Sequence, residues 1–148
     1  MKILVASSGR SEEGGDPVAT VASFPWPADA EIHVLSVAEV AQPVMVGMGA
    51  DGVDLTDLQV TSREEAQALA NDDAKRLRSR GLHVEGITVE GVPETAIVDY
   101  AKYWGADLIV VGSRDHSLLE RLLLGSTSQG VVKHAPCSVL VAKHKAAV

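Results

Sequence analysis

The chain has 148 residues, of which 46% are apolar and only 3% aromatic, and its formal net charge is −7. This length fits one domain with one aliphatic core, and the acidic balance without a basic tail or a Lys/Arg cluster argues against nucleic acid as a direct ligand. No apolar run approaches the roughly 18 residues of a membrane span, and the N-terminus enters a strand without a signal peptide. The single cysteine, Cys137, cannot form an internal disulfide, so we expect a cytoplasmic protein with no membrane partner.

The first part of the chain alternates strand and helix signals. The apolar run from Lys2 to Ala6 predicts a first strand that ends at Ser7-Ser8-Gly9. Asp16 followed by Pro17 is typical of a helix N-cap and a first helical position, and Ile32 to Val37 predicts a second strand.

The middle of the chain contains an irregular stretch and then a further helix. The stretch from Glu39 to Leu58 has no clear period, and we interpret it as a mobile connection lying near the strand ends. Ser62 and Glu65 form a capping-box pattern that predicts the start of a helix running to a stop at Gly81. Leu82 to Val89 then predicts a third strand.

The last part of the chain repeats the alternation. A helix is predicted from Pro93 to a stop at Gly105. A buried strand follows from Leu108 to Val111, then a short helical link, a turn at Gly125-Ser126 that opens another helix, and a closing strand from Ser138 to Val141. Five strands alternating with four helices predict βαβ units and therefore a parallel, doubly wound α/β sheet in a single domain spanning residues 1–148.

Two small-residue turns, each leading into a helix, are the motif most informative about function. The run reads Gly112-Ser113-Arg114-Asp115, then nine residues, then Gly125-Ser126. Glycine lets backbone amides approach an anion, and a helix N-terminus adds unpaired donors, although the same glycines also fit plain tight turns. The arrangement resembles the universal stress protein family, whose nucleotide-binding members carry Gly-x2-Gly-x9-Gly-Ser/Thr between the fourth strand and the last helix.

This resemblance implies a fold and an assembly. The fold is an open five-stranded parallel sheet of order 3-2-1-4-5 with helices on both faces, like the adenine nucleotide alpha hydrolases. Its topological switch lies between strands one and four, where open α/β sheets bind ligands. The assembly is a homodimer through the last strand, since Ser138 to Val141 is an apolar edge that would otherwise stay open to pairing.

The resemblance also implies a set of nucleotide-contacting residues. Val37 matches the place where relatives hold adenine through backbone groups, and the glycines and hydroxyls match the phosphate positions. The positions assigned to a bound adenine nucleotide are Ala6, Ser8, Val37, Gly112, Ser113, Asp115, Gly125, Ser126 and Thr127.

Two of these residues depart from the family's pattern. Ser8 stands where relatives carry an acidic residue, and Asp115 stands at the second glycine position. A carboxylate about 4 Å from a phosphate charge costs about 1–4 kcal/mol per charge pair. Neighbouring basic side chains would offset that cost, or a divalent metal such as Mg2+ would bridge Asp115 and the phosphates.

The sequence thus predicts a cytoplasmic stress-response dimer that binds ATP or a related adenine nucleotide, weakly or with the help of Mg2+. The alternative is a dimer of the same fold that has lost nucleotide binding and acts as an interaction or regulatory protein. No residue pattern indicates a general acid or base, so we assign no catalytic residue and do not predict an enzyme.

Overall fold

The fold is built from five strands and four helices in alternation. The computed structural model describes residues 1–7, 15–39, 62–113 and 125–143. The strands are β1 (Lys2–Ala6), β2 (Glu31–Glu39), β3 (His83–Gly91), β4 (Leu108–Gly112) and β5 (Ser138–Ala142). The helices are α1 (Pro17–Ser23), α2 (Arg63–Arg78), α3 (Pro93–Trp104) and α4 (Ser126–His134).

The five strands form one sheet of order β3-β2-β1-β4-β5 in which every neighbouring pair is parallel. This confirms the doubly wound α/β architecture and the strand order that the resemblance implied. Strand β5 lies at one edge of the sheet and β3 at the other.

Two apolar clusters cover the two faces of the sheet. Alternate residues of β1 point to opposite faces, so Ile3 and Val5 join the cluster beneath α1 and α2 while Leu4 and Ala6 join the one beneath α3 and α4. The residues at the centre of these clusters are mostly Val, Ile and Leu, as expected for a parallel sheet that is buried on both faces.

The helix ends follow the predicted local chemistry. The Asp16 carboxylate accepts hydrogen bonds from the amides of Val18 and Ala19 at the start of α1. Ser62 and Glu65 form the reciprocal capping box that opens α2. Gly105 ends α3 with a left-handed φ of 76°, a conformation that favours glycine.

Several element bounds differ from the predicted ones by one to three residues. Strand β2 runs on to Glu39 because it pairs with β3 along its whole length, from Glu31 opposite His83 to Glu39 opposite Gly91. Helix α2 ends at Arg78 rather than near Gly81, since Leu77 is its last buried residue and the chain then turns. The stretch predicted as a mobile connection lies outside the described residues after Glu39. The short helical link predicted after β4 also lies outside them.

None of the helices in the described ranges is long and apolar enough to cross a bilayer.

Candidate functional site

The candidate site is the crevice where the ends of β1 and β4 separate. The β1–β4 ladder stops at Val5 opposite Val110, one residue before the end of β1. Beyond it, each chain bonds to its outer neighbour: the amide of Ser7 donates to the carbonyl of Leu35 (2.8 Å), and the amide of Ser113 donates to the carbonyl of Ala142 (2.9 Å). Because β1 stays bonded to β2 and β4 to β5 after their own ladder has ended, the two chains separate at their carboxyl ends, where ligands of such sheets bind.

The N-terminus of α4 borders this crevice and carries free donors. Gly125 is the N-cap, and among the described residues no side chain caps the helix. The first amides of a helix have no carbonyl partner within it, and the peptide dipoles add roughly half a positive charge there. The amides of Ser126 and Thr127 therefore form a donor set suited to phosphate oxygens.

A buried hydroxyl fixes α4 against the end of β4. The Ser128 Oγ donates a short hydrogen bond to the carbonyl of Gly112, and Ser128 is 4% exposed. This bond brings together the two halves of the predicted phosphate-binding motif, the Gly112-Ser113 turn and the Gly125-Ser126 helix start. The sequence alone did not predict this contact of Ser128, because a serine in the first turn of a helix usually serves as a local cap.

The remaining predicted site residues fall into two groups. Ala6 is buried within the cluster under α3 and α4, so only its backbone is available to a ligand. Val37 is half-buried and lies two residues beyond Leu35, the partner of Ala6 at the end of β1, so its backbone projects past β1 at the crevice. Ser8 and Asp115 lie outside the described residues.

A charged network beneath the crevice was not predicted from the sequence. The Ser7 hydroxyl donates to Oδ2 of Asp73 in α2 (2.5 Å). Arg76, also in α2, donates to Asp73 Oδ1 (3.0 Å) and to Asp16 Oδ2 (2.6 Å). Asp73 is 5% exposed and lies among the inward-facing alanines of α2. The position of Asp73 on the apolar face of α2 was a sequence signal for such a network, since a buried carboxylate needs a partner.

The network changes the titration of Asp16 and Arg76. Burial raises the pKa of Asp16, but the hydrogen bond and charge of Arg76, with the amides of Ala19 and Val18, outweigh it and hold that pKa below its usual value. Burial lowers the pKa of Arg76, but its hydrogen bonds to Asp16 and Asp73 outweigh this, so the net shift is upward. Asp16 and Arg76 are therefore both ionised throughout the neutral pH range.

A glycine that packs against β5 also bounds the crevice. Gly15 is buried, and a Cβ placed on it would lie 2.1 Å from the carbonyl oxygen of Ala142, which is closer than any real contact. The chain therefore leaves β1 at Ser7 and enters α1 from a position against the end of β5. Only glycine fits this approach.

Within the ranges that the structure describes, no three His, Cys, Asp or Glu side chains lie close enough to hold a metal. Cys137, just before β5, is half-buried, and burial, with the Asp107 carboxylate, raises the pKa of its thiol, which keeps the thiol in its protonated, less reactive form.

Comparisons with known proteins agree with this geometry. The family model described as "Universal stress protein family" matches residues 1–143. Universal stress protein MJ0531 of Methanocaldococcus jannaschii is 36% identical over 115 residues, which cover 78% of this chain and 66% of MJ0531. The chain thus spans about two thirds of the length of that relative.

Two solved structures illustrate the shared fold. The structure of MJ0577 superposes with a TM-score of 0.69 at 24% identity and covers 99% of this chain and 97% of its own. A universal stress protein family protein from Arabidopsis thaliana, solved with AMP bound, superposes with a TM-score of 0.66 at 23% identity, covering 98% of this chain and 92% of its own. This chain belongs to the universal stress protein family.

Proposed function

We propose that this protein binds an adenine nucleotide, ATP or a related one, in the crevice between β1 and β4. The observation that carries the proposal is the N-terminus of α4, which no described side chain caps and which the Ser128 hydroxyl holds beside the Gly112-Ser113 turn. In this arrangement the phosphates meet the amides of Ser126 and Thr127, and the adenine meets the backbone of Val37.

Solved members of the family support the class of ligand, since such proteins have been described with AMP, dAMP and cAMP bound. Binding by this chain is weak or requires Mg2+. Ser8 offers the ribose an uncharged hydroxyl, which bonds about half as strongly as a carboxylate, and Asp115 brings a negative charge to the phosphate motif.

Calorimetric titrations with AMP and with ATP, each with and without Mg2+, test this proposal. If Asp115 repels phosphate, Asp115→Gly tightens ATP binding by about one to three powers of ten, which corresponds to removing one charge pair. If Asp115 instead holds Mg2+, the same change weakens binding and a chelator weakens the wild type. Absence of binding by both proteins at millimolar nucleotide would refute the proposal.

We also propose that two copies pair through β5, in a cytoplasmic protein of the stress response. Because the carbonyl of Ala142 faces β4, alternate residues of β5 face the outer edge of the sheet, where the backbone groups of Val139 and Val141 have no partner strand within the described ranges and can pair with a second copy. Two edges of this kind pair antiparallel about a two-fold axis.

This free edge also favours the second candidate function, a dimer that acts without nucleotide. Nucleotide titration separates the two candidates, because both predict a dimer and only the first predicts binding. A dimer that binds no adenine nucleotide at millimolar concentration supports the second.

A further inference from the structure

We propose that Arg76 and Asp73 of α2 are positioning residues for the nucleotide, acting through both ends of the β1–α1 connection without touching the ligand. This inference rests on the proposed nucleotide function and adds to it a part of the protein outside the family's glycine motif. The network of Ser7, Asp73, Arg76 and Asp16 is the structure that carries it.

The network joins two places that are separate along the chain. Ser7 is the first residue after β1, and Asp16 is the N-cap of α1. Asp73 accepts a hydrogen bond from Ser7, and Arg76 donates one to Asp16. The Asp73 and Arg76 side chains, both on α2, form a 3.0 Å ion pair with each other. Helix α2 therefore sets the positions of both ends of the connection at once.

The Ser7 end borders the crevice, because Ser7 directly follows β1 where β1 and β4 separate. The side chain of Ser7 points to α2 while its amide bonds to Leu35, so both its backbone and its hydroxyl are held. Asp16 follows Gly15, which packs against the end of β5. The network therefore holds Ser7 next to Ala6, whose backbone is one of the predicted nucleotide contacts, and holds the start of α1 as well.

Burial makes this network hard to rearrange. Asp73 is 5% exposed, and both of its oxygens are occupied, one by Ser7 and one by Arg76. A buried carboxylate that loses a partner has no water to replace it. The arrangement is therefore preorganised before ligand arrives, and preorganisation lowers the cost of binding.

The test compares AMP affinity by calorimetry in variants of the full chain, at a temperature where all are folded. Ser7→Ala removes one hydroxyl, leaves the Asp73–Arg76 pair intact and changes no charge. It is expected to weaken AMP binding about three- to tenfold, the effect of one hydrogen bond on an equilibrium. Ser7→Thr keeps the hydroxyl and is expected to restore affinity.

Arg76→Gln is expected to weaken AMP binding at least as much as Ser7→Ala, because it removes the cation that holds both Asp73 and Asp16. Arg78→Gln is its matched control, with the same charge change on the same helix. Arg78 donates instead to the carbonyl of Val84 at the start of β3, beside a depression of about 650 Å³ that His83 and Glu85 also line.

Ile32→Val supplies a second control, a core change that lowers stability away from the crevice. Wild-type affinity in Ser7→Ala and Arg76→Gln would overturn the positioning role and leave the proposed function intact. Equal losses in Arg78→Gln or Ile32→Val would also overturn it. A wild type that does not bind AMP at millimolar concentration would overturn the proposed function and this inference together. If Arg76→Gln does not fold, the pair of Ser7 variants decides the question.

Discussion

At the scale of single residues, the charge of Arg76 has a consequence for stability that is independent of any ligand. Arg76→Gln leaves the buried Asp73 without its cation, and we expect the free energy of unfolding to fall by about 1–3 kcal/mol, the cost of a buried charged group that loses a partner. Urea denaturation at pH 7, followed by circular dichroism, measures this change.

A second arginine of α2 provides the comparison for that experiment. Arg63 forms an ion pair with Glu90 in which both side chains are more than half exposed. Exposed pairs contribute little, so Arg63→Gln should cost less than about 1 kcal/mol. Equal losses in the two variants would show that the Asp73–Arg76 pair is no more important than a surface contact.

His33 is a further residue whose environment is measurable. Its ring stacks on Trp104 with centroids 3.8 Å apart, and its Nδ1 shares a 2.8 Å hydrogen bond with the Tyr100 hydroxyl. Burial lowers the pKa of His33 from its ordinary value of 6.5, although the carboxylates of Glu85 and Glu31 partly oppose this.

The lowered pKa of His33 predicts a dependence of stability on pH. Because the folded protein disfavours the charged ring, the stability that the neutral ring provides is complete above pH 6.5 and is lost as the pH falls from there through the folded pKa. We expect the free energy of unfolding to decline as the pH falls below 6.5, and His33→Phe, which keeps the stacked ring, to reduce that decline. Parallel pH profiles for the two proteins would contradict the assignment.

At the scale of elements, the sequence predicted all five strands and four helices, and the structure confirms each of them. This was possible because the local signals are strong: Asp16 before Pro17, the capping box at Ser62 and Glu65, and Gly105 after α3 each act within a few residues. Strand ends were less predictable. The length of β2 depends on its ladder with β3, a long-range contact that no local pattern encodes.

The candidate site could be predicted only in part for the same reason. Spacing placed Gly112 and Gly125 in one motif, because the motif is contiguous in the sequence. The network of Ser7 with Asp73 could not be predicted, since 66 residues separate the two and only the packing of α2 on the sheet brings them together.

Strand β5 provides a prediction at the element scale. Val139→Pro removes an amide that faces the free edge and leaves intact the bonds of Leu140 and Ala142 to β4, so the monomer should fold and the dimer should dissociate. Light scattering over a range of concentrations measures this. Leu140→Pro is the control, because it removes an amide that faces β4 and should lower stability. A wild type that is monomeric at every concentration would refute pairing through β5.

At the scale of the whole molecule, one feature links fold to function, the separation of β1 and β4 at their carboxyl ends. Each strand stays bonded to its outer neighbour there, and the start of α4 lies beside the end of β4. The Ser128 bond on one side and the Asp73–Arg76 network on the other hold the two walls in place. The ligand proposed for the crevice is therefore one with both an anionic and a planar part.

Amide spectra recorded by NMR during titration with AMP test nucleotide binding in the β1–β4 crevice, because they report where the ligand binds as well as whether it does. We expect the largest shifts at Ser113, Ser126, Thr127 and Val37, and no shift at Tyr103, which is 86% exposed near the end of α3. An unchanged spectrum at millimolar AMP, or shifts confined to residues outside the β1–β4 crevice, would contradict the account.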